Sequence, residues 1–307
     1  MFKKRLSGRG IGFLLVTFVA AGLAAAGFMQ AAPASGSALQ APATSVAKGG
    51  RLFDKWWTEA GLSAPAGNQA LWATQTTNTR TGLDTWRCKE CHAWDYVGKD
   101  GAYGSGSHKT GFVGVSDAGK NKTVEQLTAI MKGSTNPGHN FSAVLSDALI
   151  GDLVSFLKEG LIDPRQYIDY ATKKPKQADG AHGKELYSTE CAACHGADGT
   201  LLNFGSAASP EYVGTIASDN PQEFLHKVRL GQPGTAMPSA FVSGWSMQDV
   251  VDVLAHAQTL PTAAPAPAAL PKTGDAVLPQ AVIPGVLVLS LLLIGAGLGL
   301  RRRSRRA

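Results

Sequence analysis

Cys88-Lys89-Glu90-Cys91-His92 and Cys191-Ala192-Ala193-Cys194-His195 are two copies of one pattern, and together they use every cysteine in the 307-residue chain. Cys-x-x-Cys-His is the attachment sequence for c-type haem. The two thiols become thioethers on the porphyrin vinyl groups, and the adjacent imidazole binds iron as the proximal ligand. The spacing lets one turn of backbone present two sulfurs to one macrocycle edge while the histidine swings beneath the metal. A redox disulfide, half a zinc site or a structural bridge would also use Cys-x-x-Cys. None of these needs a histidine directly after the second cysteine in both copies. The expectation is two covalently bound haem c groups, held through Cys88, Cys91, Cys191 and Cys194, with His92 and His195 on iron.

The two ends read as sorting devices. Lys3, Lys4, Arg5 and Arg9 precede an apolar run from Ile11 to Phe28, and Ala32-Pro33-Ala34 offers a cleavage site. Residues 1–34 therefore read as a signal peptide, with an uncleaved membrane anchor as the alternative. At the other end Leu270-Pro271-Lys272-Thr273-Gly274 is followed by a mostly apolar stretch from Val282 to Leu300 and then five arginines. That stretch approaches the roughly 20 residues that span a bilayer, and the arginines favour a cytoplasmic terminus. Residues 261–273 form a proline- and alanine-rich spacer with the sorting motif, and 274–307 a transmembrane segment and basic tail. The arrangement resembles the sorting signal of sortase-anchored surface proteins, in which the Thr273–Gly274 bond is cut and Thr273 is joined to the envelope. An ordinary C-terminal transmembrane anchor is the alternative. Both place the working part outside the cytoplasm, anchored to membrane or envelope at its C-terminus.

The net charge of +6 belongs to these ends. Without the four basic residues before Ile11 and everything after Gly274, the chain carries about −2. No basic stripe remains to bind nucleic acid.

Between the ends the chain repeats itself. Gly183 and Tyr187 lead into Cys191; the turn Gly196–Gly199 follows; an amphipathic segment with Phe224, Leu225 and Val228 ends at Gly231. Met237-Pro238 comes next, and a last helix begins at Ser246, with Asp249 completing a cap and Val250, Val251, Val253 and Leu254 as its apolar stripe. The first half has Gly49 and Phe53, the Cys88 motif, Gly98–Gly101, Leu127 and Ile130 before Gly133, then His139. Its last helix begins at Ser146 and carries Leu149, Ile150, Leu153, Val154 and Leu157. Matching offsets point to a duplicated unit: residues 48–163 and 181–260, joined by 164–180, which is polar and reads as a solvated linker.

Both halves resemble class I cytochrome c domains, and the likeness covers roughly Lys48 to Leu260. It implies an all-α fold of two tandem helical domains, each with its N- and C-terminal helices crossing beside the haem. By the same resemblance Gly49 and Gly183 permit close crossing, while Phe53 and Tyr187 pack on the last helices. Phe156 and His256 lie ten residues beyond their capping serines, which makes His256 a packing residue. One departure stands out. Phe53 lies 35 residues before Cys88, whereas Tyr187 lies four before Cys191. The first domain thus carries an insertion of about thirty residues with Trp56, Trp57, Trp72 and Trp86, aromatics expected to cover the haem edge or dock the domains. Trp94 and Tyr96 join the same packing.

The sixth ligand sets potential and access. Met237 occupies the axial methionine position of the second domain by the resemblance. The aligned residue in the first is His139, giving two imidazoles and a lower potential. Met131, which the repeat sets opposite Arg229, and His108 in the Gly104–His108 loop are rivals. His182 and His226 lack counterparts and read as surface residues. Six-coordinate irons would pass single electrons between redox proteins or a membrane respiratory or photosynthetic complex. The expected protein is a carrier, not an enzyme. Alternatives are a di-haem peroxidase, a dehydrogenase of small inorganic sulfur or nitrogen compounds, or a cytochrome subunit of a larger oxidoreductase docking through the tryptophans.

Overall fold

Glycine lets two helices touch backbone to backbone in each half. In the computed structural model, which describes residues 40–264, α1 (Ala43–Glu59) crosses α5 (Asp147–Ser155) at Gly49. A Cβ there would sit 2.0 Å from the Asp152 carbonyl oxygen. Likewise α6 (Gly180–Leu186) crosses α10 (Met247–Ala257) at Gly183, where a Cβ would sit 1.9 Å from the Asp252 carbonyl oxygen. Only hydrogen fits at either place. The signal segment 1–34, the motif Leu270–Gly274, the 274–307 segment and all but the first residues of the spacer lie outside the described residues. Among the described residues no helix is long and apolar enough to cross a membrane.

The local rules agree with this architecture. Ser146 accepts the Leu149 N–H, and Ser246 accepts the Asp249 N–H in a full capping box, contacts of about 1 kcal/mol each. Beyond the caps, Ile150, Leu153 and Val154 on α5 and Val250, Val251, Val253 and Leu254 on α10 are buried, each worth roughly 1.5–3 kcal/mol over exposure. Phe53 meets Phe156 with ring centroids 5.5 Å apart, and Tyr187 meets His256 at 5.3 Å. The remaining helices are α2 (Cys88–His92), α3 (Ser116–Asn121), α4 (Val124–Met131), α7 (Ala192–His195), α8 (Val213–Asp219) and α9 (Pro221–Leu230). The chain is mostly helical. Within 164–180, β1 (Ile168–Asp169) pairs antiparallel with β2 (Lys174–Pro175).

Two expectations about solvent exposure are corrected. Segment 164–180 is not simply solvated: Ile168 is buried in the second apolar cluster, and the Tyr170 hydroxyl donates to Asp95 at 3.3 Å. His226 is not a surface residue but 1% exposed. Its place is a seam where α9 lies on α1, and the seam exists because Gly50 has no side chain. A Cβ on Gly50 would fall 2.3 Å from Leu230 Cδ1. Arg51 donates to the Leu230 carbonyl at 2.9 Å, and buried Arg229 donates to the Gly160 carbonyl at 3.0 Å. Both ring nitrogens of His226 are used. Nε2–H donates to the Gly50 carbonyl at 3.0 Å, so Nδ1 accepts from the Tyr96 hydroxyl at 2.8 Å. Trp94 packs on the seam, its ring 4.8 Å from His226 with Lys227 over it, while Tyr96 shares the first apolar cluster with Trp56 and Trp57. Buried Asp54 closes the group, paired with Arg87 and Lys227.

This seam should open in acid. Burial pushes the His226 pKa down from 6.5 to about 3. For Asp54 burial alone would raise the pKa, but Lys227 and Arg87 outweigh it and hold it to about 2. An unfolded chain therefore takes up a proton on His226 that the folded chain refuses, so stability falls as pH drops from about 6.5 towards about 3. Loss of the Asp54 pairs follows as pH falls from its ordinary 3.8 through about 2. His226→Phe should flatten the upper window by up to about 1.4 kcal/mol per pH unit in urea titrations run at several pH values. An unchanged slope would refute the role given to His226.

Candidate functional site

The first motif is a single helical turn that the seam holds in place. Arg87, just before it, donates to the Asp54 carbonyl at 3.0 Å and pairs with its carboxylate. Cys88 and Cys91 are half-buried, and none of the four cysteines is paired in a disulfide. Burial pushes Cys88 and Cys91 up to about 12, and Cys191 up to about 11. These three therefore stay neutral. Among the described residues no group of three or more His, Cys, Asp or Glu converges to hold a metal ion. A neutral thioether, by contrast, carries no charge for burial to penalise.

Around this turn lies a cleft that opens to solvent. Cys88, Cys91 and His92 form one wall, and His139 and Phe141 the other. The insertion supplies Gln69, Leu71, Thr85 and Trp86. Trp86 is fixed there because its carbonyl accepts from Trp56 Nε1 at 3.1 Å. The His92 and His139 rings face each other with centroids 6.1 Å apart and planes at 73°. His92 Nδ1–H donates to the Val113 carbonyl at 2.7 Å, which fixes the tautomer and leaves Nε2 with its lone pair. His139 Nδ1 makes a longer approach, 3.5 Å, to the Ile130 carbonyl. Burial lowers the pKa of both, His92 to about 4, so each is an uncharged donor at neutral pH. Imidazoles on opposite faces of one metal atom, with bonds of about 2.0 Å, would have centroids roughly 6 Å apart. The residues of this cleft fit a covalent haem with two histidines.

The second motif is more open. Cys191 packs on the second apolar cluster, and Cys194 is exposed. His195 Nδ1 is buried without a hydrogen-bond partner among the described residues, and its ring lies 5.7 Å from Phe204. Leu201, Leu202 and Phe204 stand exposed in the segment that follows, apolar surface of the kind a flat macrocycle would cover. Met237 is half-buried beyond the left-handed turn at Gly231, with its N–H donating to Thr235 at 3.2 Å. No hydrogen bond or ring contact joins His195 to Met237 among the described residues.

The rivals for the first site sit elsewhere. Met131 belongs to the apolar cluster with Leu127, Phe141 and Leu145, and it is not among the residues lining the cleft. His108 stacks on Tyr103 at 4.5 Å and meets Glu90 at 3.0 Å.

Glu90, one of the two variable positions inside the motif, carried no expected role. It is fully buried and bonded to Lys89 at 2.8 Å, Asn78 at 3.0 Å and His108. Burial alone would raise its pKa, but the His108 hydrogen bond and Lys89 charge hold it well below the usual carboxylate range. The only sequence signal is an acid and a base side by side where the second motif has two alanines. Removing one partner of a buried pair leaves the other uncompensated. Glu90→Ala should therefore cost about 3–5 kcal/mol in denaturant titration, whereas Lys89→Met with Glu90→Leu should cost clearly less. A single variant of wild-type stability would contradict the buried pairing.

With this geometry in hand, comparison with known proteins reaches only the segment around the second motif. Residues 178–256 match the family described as cytochrome c oxidase, cbb3-type, subunit III. A search of curated proteins finds no match. The matched segment contains the second motif and Met237, and it supports a c-type cytochrome: an electron-transfer protein with covalently bound haem c.

Proposed function

We propose that the chain is a di-haem c-type cytochrome that carries single electrons between redox partners at the outer face of a membrane or cell envelope, held there by its C-terminal segment. The observation that carries this reading is the first cleft, where two thiols and two neutral imidazoles converge although the family match lies wholly in the other half. Cys88 and Cys91 would bind the macrocycle of one haem and His92 and His139 its iron; Cys191, Cys194, His195 and Met237 would serve the other. Bound haem supplies reversible one-electron chemistry at iron.

The protein's own part is to orient donors and exclude water. Val113 fixes the His92 tautomer, and Trp86, Leu71 and Phe141 line an apolar wall. Two imidazoles favour the ferric state relative to imidazole plus thioether, so the donor sets rank the first site below the second in potential. The cytochrome c match is in keeping with an extracytoplasmic setting and redox partners. The spacer, sorting motif and basic tail read from the sequence are what suggest envelope attachment through a sortase.

Combined optical and EPR redox titration of the purified holoprotein tests the proposal. The expected result is two haems per chain that survive denaturation, two low-spin ferric signals, and a first-site potential below the second. His139→Ala should abolish one low-spin signal and Met237→Ala should lower the higher potential. A single covalent haem per chain, or none, would overturn the di-haem reading, and a reversed order of potentials would overturn the ligand assignment.

A further inference from the structure

We infer that Gln69, supplied by the insertion, is a positioning residue that straps the His139 loop over the first site and so keeps exogenous ligands from the iron. This rests on the proposed ligation by His139. Gln69 is 7% exposed, and both ends of its amide are used. Oε1 accepts the Leu71 N–H at 2.6 Å, while Nε2 donates across 69 residues of sequence to the Gly138 carbonyl at 2.7 Å. Gln69 is itself fixed: its N–H donates to the Thr85 hydroxyl at 2.9 Å, and that hydroxyl donates to the Gly82 carbonyl at 2.7 Å.

Gly138 immediately precedes His139 at the tip of a loop closed at its base by a bridge between Lys132 and Asn140 and by the Phe141 N–H donating to the Met131 carbonyl at 2.9 Å. The tip's internal ties are short-range, from Gly138 N–H to the Asn136 side chain and from His139 N–H to the Asn136 carbonyl, both 2.9 Å. The ring contact to Ile130 is long at 3.5 Å. Leu71 presses on the same point, since a Cβ on Gly138 would lie 2.7 Å from Leu71 Cδ2. The second half has Tyr187 only four residues before Cys191 and so no corresponding insertion to strap Met237.

The test uses the ferric full-length holoprotein, with cyanide as the probe, EPR of the first-site signal, and the rate of cyanide uptake. Gln69→Met keeps the volume but removes both amide bonds. Gly138→Ala disturbs the same contact from the other side. Each should speed uptake at the first site about tenfold, as expected for losing one buried hydrogen bond, and shift that EPR signal while leaving the second signal unchanged. A purely structural glutamine would lower stability without moving either readout. Wild-type uptake and signal in Gln69→Met, with His139→Ala opening the site, would overturn the strap alone. Both signals unchanged in His139→Ala would overturn the ligand reading beneath it. Should Gln69→Met fail to accumulate, Gly138→Ala decides.

Discussion

Everything near the first cleft depends on α1 lying close enough to α5 for Gly49 to touch the Asp152 carbonyl. That approach fixes the axis of α1, and α1 carries on one side Phe53, 6.5 Å from the His92 ring, and on the other Gly50 and Asp54. A helix displaced by even one methyl group would loosen all three. The same crossing at Gly183 orients α6 and the turn that leads into Cys191. Both crossings are steadied by an aspartate that sequence inspection overlooked. Asp152 accepts from Ser45 at 2.6 Å, and Asp252 from the Asp179 N–H at 2.7 Å. Each lies six residues beyond its capping serine, so the repeat contained the signal.

The helix ends and their crossing points were legible because they rest on local rules: caps, apolar stripes and glycines at helix crossings leave marks at fixed offsets. The seam was not, because it joins surfaces far apart in the chain. Its trace lies in places where aligned positions disagree. Thr128 aligns with His226, Met131 with Arg229, and Lys184 with Gly50. In each case the residue at the matching offset in the other half is of a different type. A missing counterpart for His226 suggested the surface, although a change confined to one copy equally marks a face that copy alone buries. The polar composition of 164–180 misled for a related reason: Ile168 and Tyr170 are few, but they are the residues that dock.

The candidate site divides the same way. The two motifs and His139 were visible as residue types at set spacings, and the structure brings Cys88, Cys91, His92 and His139 to one cleft. The walls were hidden. Gln69 and Thr85 lie in an insertion with no counterpart to align against, and hydrogen bonds such as Gln69 to Gly138 link segments whose separation no periodicity encodes.

Neutrality ties the cleft's parts together. In a dry wall an unpaired charge is expelled or titrated away, and burial here disfavours the charged forms of Cys88, Cys91, His92 and His139 alike. Charge has instead been gathered into pairs, with Glu90 against Lys89 beside the cleft and Asp54 against Lys227 and against Arg87, which itself lines the cleft. The second motif lacks this surround: alanines replace Lys89 and Glu90, and Cys194 and Phe204 reach solvent. The contrast between a walled first site and an open second one follows from the segment between Phe53 and Cys88 and from the charged motif positions, the two features that most distinguish the halves around their cysteines and histidine.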